Sequence, residues 1–145
     1  MKKALALALV MILGLAACTK KAPAAALYLP NKNADGFVTK EVRTDGTIED
    51  IVALLVAEEA LPAGCAPLSF SPDGEAALDM NEAFRLAVTT TGTTGEYLTF
   101  GSLVNTVLAY YGLESVYVTA GGRVIESGHA VYDKPLRFHE NHQGA

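Results

Sequence analysis

The sequence predicts an α+β fold, a two-layer sandwich in which two main helices pack on one face of a mixed or antiparallel sheet. Three observations carry this. Residues 47–59 and 96–111 place apolar side chains at helical spacing. Each of these segments is followed by two short β-prone stretches around a Gly-containing turn, and two more strand-like stretches precede the first. The chain has 145 residues, 50% of them hydrophobic, which is enough for one core and one domain.

The elements follow in order. Ala26-Leu27-Tyr28-Leu29-Pro30 is an apolar run ended by Pro and reads as the first strand. Residues 31–36 are loop chemistry with Asp35-Gly36 as the turn signal, and 37–42 form a second strand. Thr47 caps the first helix, and Glu49 and Asp50 favour the positive end of its dipole. Ile48, Ile51, Val52 and Leu55 give it one apolar face, to about Glu59, with Pro62 as a stop. Residues 68–71 and 76–80 flank Pro72-Asp73-Gly74-Glu75, the clearest hairpin in the chain. Residues 82–87 suit a short helical turn, and 89–95 a Thr/Gly loop. Thr93 and Glu96 stand at capping-box spacing before the second helix. Tyr97, Phe100, Val104, Val107, Leu108 and Tyr111 form its stripe, and Gly112 its left-handed end. Residues 116–119 and 123–126 flank Ala120-Gly121-Gly122 as a second hairpin; 128–138 is extended, and 139–145 has no apolar anchor and reads as a disordered tail.

The amino terminus carries the sharpest signal. Lys2 and Lys3 precede an apolar run over 4–15 and then Leu15-Ala16-Ala17-Cys18, the layout of a secretory signal too short to span a bilayer. Leu-Ala-Ala-Cys resembles a lipobox, the bacterial lipoprotein processing signal. That resemblance implies a signal peptide over 1–17, a lipidated Cys18 with a tether to residue 25, and a domain over 26–138. Several acyl chains, at roughly 0.8 kcal/mol per buried CH2, hold a protein firmly on a membrane. Thr19 follows Cys18 where an acidic residue would favour inner-membrane retention, so an outer membrane facing the periplasm is expected if the cell has one. The formal charge is −5, and two of the positive charges leave with the signal, which argues against nucleic acid as a partner.

The order of pieces resembles the GerMN domain of bacterial envelope lipoproteins. The matching stretches are Leu27-Tyr28-Leu29-Pro30, the 47–59 helix, Leu61-Pro62-Ala63-Gly64, and Ala76-Ala77-Leu78-Asp79-Met80-Asn81-Glu82-Ala83-Phe84. The long helix, the 116–126 hairpin, and Gly128-His129 running to Asp133-Lys134-Pro135-Leu136 complete the series. The resemblance implies a domain without established enzymatic activity that acts as an extracytoplasmic interaction module. It also implies a likeness to ring-building domains that pack side by side. The family's namesake carries two such domains and this chain has room for one, which fits a general envelope lipoprotein better than a sporulation role.

Residue types that could carry chemistry each have a simpler structural reading. Cys65, the remaining thiol, reads as a small buried hydrophobe. His139 and His142 are three apart, a spacing used for metals, but Glu140, Asn141 and Gln143 supply no ordered support. His129 reads as structural. A triad can be written from Ser69, Ser102 or Ser127 with His129 and Asp79 or Asp133, but no Gly-x-Ser-x-Gly elbow exposes the serine. Asp73, Glu75, Asp79 and Glu82 form the densest acidic group and lack an EF-hand pattern; turn chemistry and a solvent-facing strand explain them. No catalytic residue, metal ligand or cofactor is therefore expected. Thr90, Thr91, Thr93 and Thr94 form the candidate partner or ligand loop, because loops on rigid scaffolds carry recognition. The 116–126 hairpin is a candidate edge strand for augmentation, unless Arg123 and Glu126 protect it. The expected function is a lipid-anchored, non-catalytic envelope module that contacts envelope proteins or the cell wall and is able to self-associate. The alternative is a lipoprotein that binds a small molecule or a glycan such as peptidoglycan.

Overall fold

The structure is a computed structural model and describes residues 23–141. Cys18, the signal segment and His142 lie outside the described residues. The elements are β1 (Ala24–Pro30), β2 (Phe37–Arg43), α1 (Ile48–Ala57), β3 (Pro67–Ser71), β4 (Ala77–Met80), α2 (Glu82–Thr90), α3 (Gly92–Tyr111), β5 (Tyr117–Ala120) and β6 (Arg123–Val124). The α+β class expected from the sequence is the one observed. The strands divide between two sheets: the antiparallel hairpin β1–β2, and a mixed sheet ordered β3-β4-β5-β6.

Turn chemistry sets both hairpins of the mixed sheet. Gly121 and Gly122 have φ of 60° and 71°, a two-residue connection that side chains disfavour. Asp79 on β4 holds this turn: the Gly122 N–H and the Thr119 hydroxyl donate to its Oδ1 at 2.8 and 2.7 Å. Asp79, expected to face solvent, is thus half-buried and occupied. β4 and β5 pair in parallel, which requires a crossover, and α2 with α3 supply it.

The helices depart from the sequence reading between 82 and 96. Asn81 caps α2, accepting from the Phe84 N–H at 3.3 Å, and the helix runs on to Thr90. The loop expected over 89–95 is helix on both sides of Thr91. The hydroxyls of Thr89, Thr90 and Thr91 donate to the carbonyls of Arg85, Leu86 and Ala87, so these threonines close α2 on itself. Glu96 is not a capping partner of Thr93. It is buried, and hydroxyls from the chain's C-terminal segment bind it.

Helix α3 is the centre of the molecule. Phe100, Leu103, Val104 and Val107 join Leu27, Leu78, Met80, Phe84 and Val118 in one core. The opposite side of α3 is small and polar yet equally buried: Gly101, Ser102, Asn105 and Thr106. There the β1–β2 hairpin closes down. The Tyr28 N–H donates to the Thr106 hydroxyl at 3.0 Å, and a Cβ at Gly101 would fall 2.1 Å from the Phe37 ring.

Residues 126–141 form a strap with isolated bridges Glu126↔Val131 and Val116↔Leu136. Its end is held by side chains acting as strand partners. The Asn105 amide donates to the His139 carbonyl at 2.8 Å and accepts from its N–H at 2.7 Å. The Phe37 N–H donates to Asn141 Oδ1 at 2.7 Å, the Asn141 amide donates to the Phe37 carbonyl at 3.4 Å, and the Tyr97 hydroxyl donates to the Glu140 carbonyl. Residues 139–141, expected to fray, are tied down by these bonds; 142–145 lie outside the described residues.

Candidate functional site

One polar cluster is internal. Glu96, 4% exposed, accepts at Oε1 from the Ser127 hydroxyl at 2.7 Å and from the Tyr132 hydroxyl. Its Oε2 is buried and has no partner among the described residues. Tyr132 stacks on Phe100 at 4.1 Å between ring centroids, and burial together with the Glu96 carboxylate raises its pKa. The Ser127 oxygen in turn accepts from the N–H groups of His129 and Ala130. The two hydroxyl bonds to Glu96 hold the strap to α3, and those at Ser127 close a turn within the strap. Periodicity could not find this cluster, because its members lie 31 and 36 residues apart.

The residues singled out in the sequence do not converge. Thr90 ends α2, Thr91 sits between the helices, and Thr93 and Thr94 lie in the first turn of α3. Ser102 is buried, and its hydroxyl has no partner among the described residues. Among the described residues no three His, Cys, Asp or Glu are grouped to hold a metal. His139 Nδ1 lies 3.1 Å from the Arg137 carbonyl, and burial lowers its pKa below the usual value. Cys65 is buried and desolvation pushes its thiol to about 11, so it is an inert core residue at neutral pH.

The surface offers a groove and the strand edges β2, β3 and β6. The groove, about 910 Å³, is lined by Tyr28, Phe37, Phe138, Asn105, Glu140 and Asn141, with Phe138 packed edge-on against Tyr28. The candidate edge in the second hairpin is short: β6 has two residues, and Arg123 turns to Glu82 at 3.7 Å. β3 has five residues and an irregular register near Pro67. β2 is longer, seven residues in unbroken register with β1.

This arrangement, a helix-centred α+β domain whose polar groups serve its own closure, defines the class by fold. The first GerMN domain of the sporulation protein GerM from Bacillus subtilis superposes with TM-score 0.55 at 18% identity, covering 84% of this chain and 99% of that one. The tandem GerMN domains of the same protein match with TM-score 0.56 at 16% identity, covering 88% of this chain and 49% of theirs. A candidate lipoprotein from Clostridium perfringens matches at TM-score 0.47 and 17% identity, over 79% of this chain and 87% of that one. No curated protein matches. The Germane family, described as "Sporulation and spore germination", matches residues 26–126, and the chain belongs to that family.

Proposed function

We propose that this protein is an extracytoplasmic lipoprotein, anchored through Cys18, whose domain is a non-catalytic interaction module of the cell envelope. One observation carries the reading. The side chains that could do chemistry (Asp79, Glu96, Asn105 and Ser127) are spent on holding a turn and a strap, while a long strand edge and apolar side chains such as Val38 and Val131 face outward. The likeness to GerMN domains and the Germane family support an envelope module of this kind. The Lys2-Lys3 start and Leu15-Ala16-Ala17-Cys18 support the anchor, and no described helix is long and apolar enough to cross a membrane.

The test is mild cross-linking in intact envelopes followed by purification of the lipidated chain, beside a Cys18→Ser variant. A discrete set of envelope proteins or a self-ladder, with Cys18→Ser released from the membrane fraction, is the expected result. Monomer alone at good cross-linking efficiency would overturn the module; membrane retention of Cys18→Ser would overturn the anchor. The groove between Tyr28, Phe37 and Phe138 keeps a glycan or small-molecule reading in view. A rise in melting temperature with wall fragments would favour it, since a ligand selective for the folded state stabilises by mass action.

A further inference from the structure

The backbone of β2 alternates in the direction its hydrogen-bonding groups point. Asn31 N–H bonds the Gly36 carbonyl and Thr44 N–H bonds the Pro23 carbonyl, so even-numbered positions of β2 face β1. Odd-numbered positions face outward, as Phe37 confirms by pairing both ways with the Asn141 side chain. Beyond Phe37 the outward groups of Thr39 and Glu41 meet no described partner, and both residues are exposed. The other edge of this hairpin is different: Tyr28 on β1 spends its outward N–H on Thr106.

Exposed edges are commonly blunted by Pro, a bulge, shortness or charged side chains. β2 has none of the first three over its seven residues. What it has is a charge sequence, Thr39-Lys40-Glu41-Val42-Arg43. Like charges directly opposite one another destabilise a strand pair, and opposite charges stabilise it. If β2 meets a second β2 antiparallel, centring on Thr39 requires the outward groups of Phe37 that Asn141 already holds, centring on Lys40 sets Lys against Lys, centring on Glu41 sets Glu against Glu, and centring on Arg43 sets Arg against Arg. Centring on Val42 sets each Glu41 against the other copy's Arg43 and Val42 against Val42. Arg43 also has a contact within its own chain, and the cross-strand pair adds to it.

We propose that β2 is a self-pairing edge: two copies of this chain join the Glu41-Val42-Arg43 end of β2 to its counterpart, antiparallel about Val42, with Thr39 and Asp45 opposite each other at the margins, so that the two hairpins meet as one four-stranded sheet. The pairing is isologous and closes as a dimer. Pro23 lies beside Thr44 at the same end of the hairpin, so strand spacings put the two Pro23 residues within about 20 Å of each other. Two copies held on one surface by their N-terminal segments can therefore meet in this register. The inference rests on the interaction-module reading and names the partner as a second copy.

The test uses the full-length lipidated chain in membranes under a mild oxidant. Val42→Cys should form a disulfide-linked dimer of twice the chain mass, and Val38→Cys, far from the two-fold axis, about tenfold less. Cys65, buried with a raised pKa, stays silent in both. Adding Glu41→Arg to Val42→Cys should lower the dimer about tenfold, and the swap Glu41→Arg with Arg43→Glu should restore it. Because Val42 is half-buried, a mixture of Thr39→Cys and Asp45→Cys copies, both at exposed positions, provides a second pair expected to cross-link in this register. Equal cross-linking of Val42→Cys and Val38→Cys, or monomer in both the Val42→Cys and mixed experiments, would overturn the proposal. Failure of the charge swap to restore the dimer would overturn the register. Capture of a chain of different mass at Val42→Cys would overturn the self-pairing and leave the module reading standing.

Discussion

The two buried sides of α3 solve different problems. One side, Phe100, Leu103, Val104 and Val107, packs into the core with Leu78, Phe84 and Val118. The other side, Gly101, Ser102, Asn105 and Thr106, is as deeply buried but offers hydrogen bonds and clearance in place of apolar volume. Apolar packing is non-directional and scales with area. Hydrogen bonds contribute modestly when made and cost more when one partner is lost. The apolar side therefore supplies stability, and the polar side decides where the hairpin and the strap come to rest.

That division can be broken from either side. Phe100→Ala removes a fully buried ring that meets Phe84 edge-on at 5.4 Å and stacks on Tyr132, and is expected to cost about 3–5 kcal/mol in denaturant unfolding. Asn105→Ala leaves the N–H and carbonyl of His139 without their partner and is expected to cost about 2 kcal/mol. Amide hydrogen exchange should speed up first over 136–141; uniform acceleration across the domain would contradict a local role. Thr106→Val keeps the shape but orphans the Tyr28 N–H, with an expected loss of about 1 kcal/mol and faster exchange at that single amide.

The smallest expected effect is a dependence on pH. Burial lowers the pKa of His139 below its usual 6.5, outweighing the Arg137 carbonyl that acts the other way. The unfolded chain then binds the proton more readily than the folded one, so stability rises with pH across this window. The contribution of His139 is complete above about 6.5 and declines as pH falls towards the lower folded-state value. Thermal melts between pH 7.5 and 5.5 should show a decrease that His139→Gln flattens. Glu49 and Glu82, whose pKa values are lowered by the Thr47 hydroxyl and by Arg85, act at more acidic pH, below the usual carboxylate value of 4.5. An unchanged slope in His139→Gln would remove the imidazole from the account of the strap.

Local chemistry was readable and long-range satisfaction was not. Asp73-Gly74 and Gly121-Gly122 announce their hairpins because those turns demand such residues, and the apolar face of α1 appears at helical spacing. The 89–95 segment looked like a loop because Thr and Gly are poor helix formers; the burial of α3 overrides that preference, and the threonine hydroxyls are satisfied on the carbonyls of the preceding turn. The parallel β4–β5 pairing joins strands separated by two helices and leaves no local mark. The roles of Glu96 and Asn105 depend on residues more than thirty positions away. Asn105-Thr106 between Val104 and Val107 was the visible hint, a polar pair inside an apolar run with no solvent face to explain it.

Gly101 carries one further consequence. In the middle of a helix, glycine is less favourable than alanine by about 1 kcal/mol. Here the absent methyl is the socket into which the Phe37 ring fits. The spacing between two layers is thus set by a side chain that does not exist. Even the smallest addition at 101 would act as a wedge under the hairpin, shifting β2 outward together with its edge. A defect in helix propensity doubles as the gauge that fixes how far the β1–β2 hairpin stands from the domain's central axis.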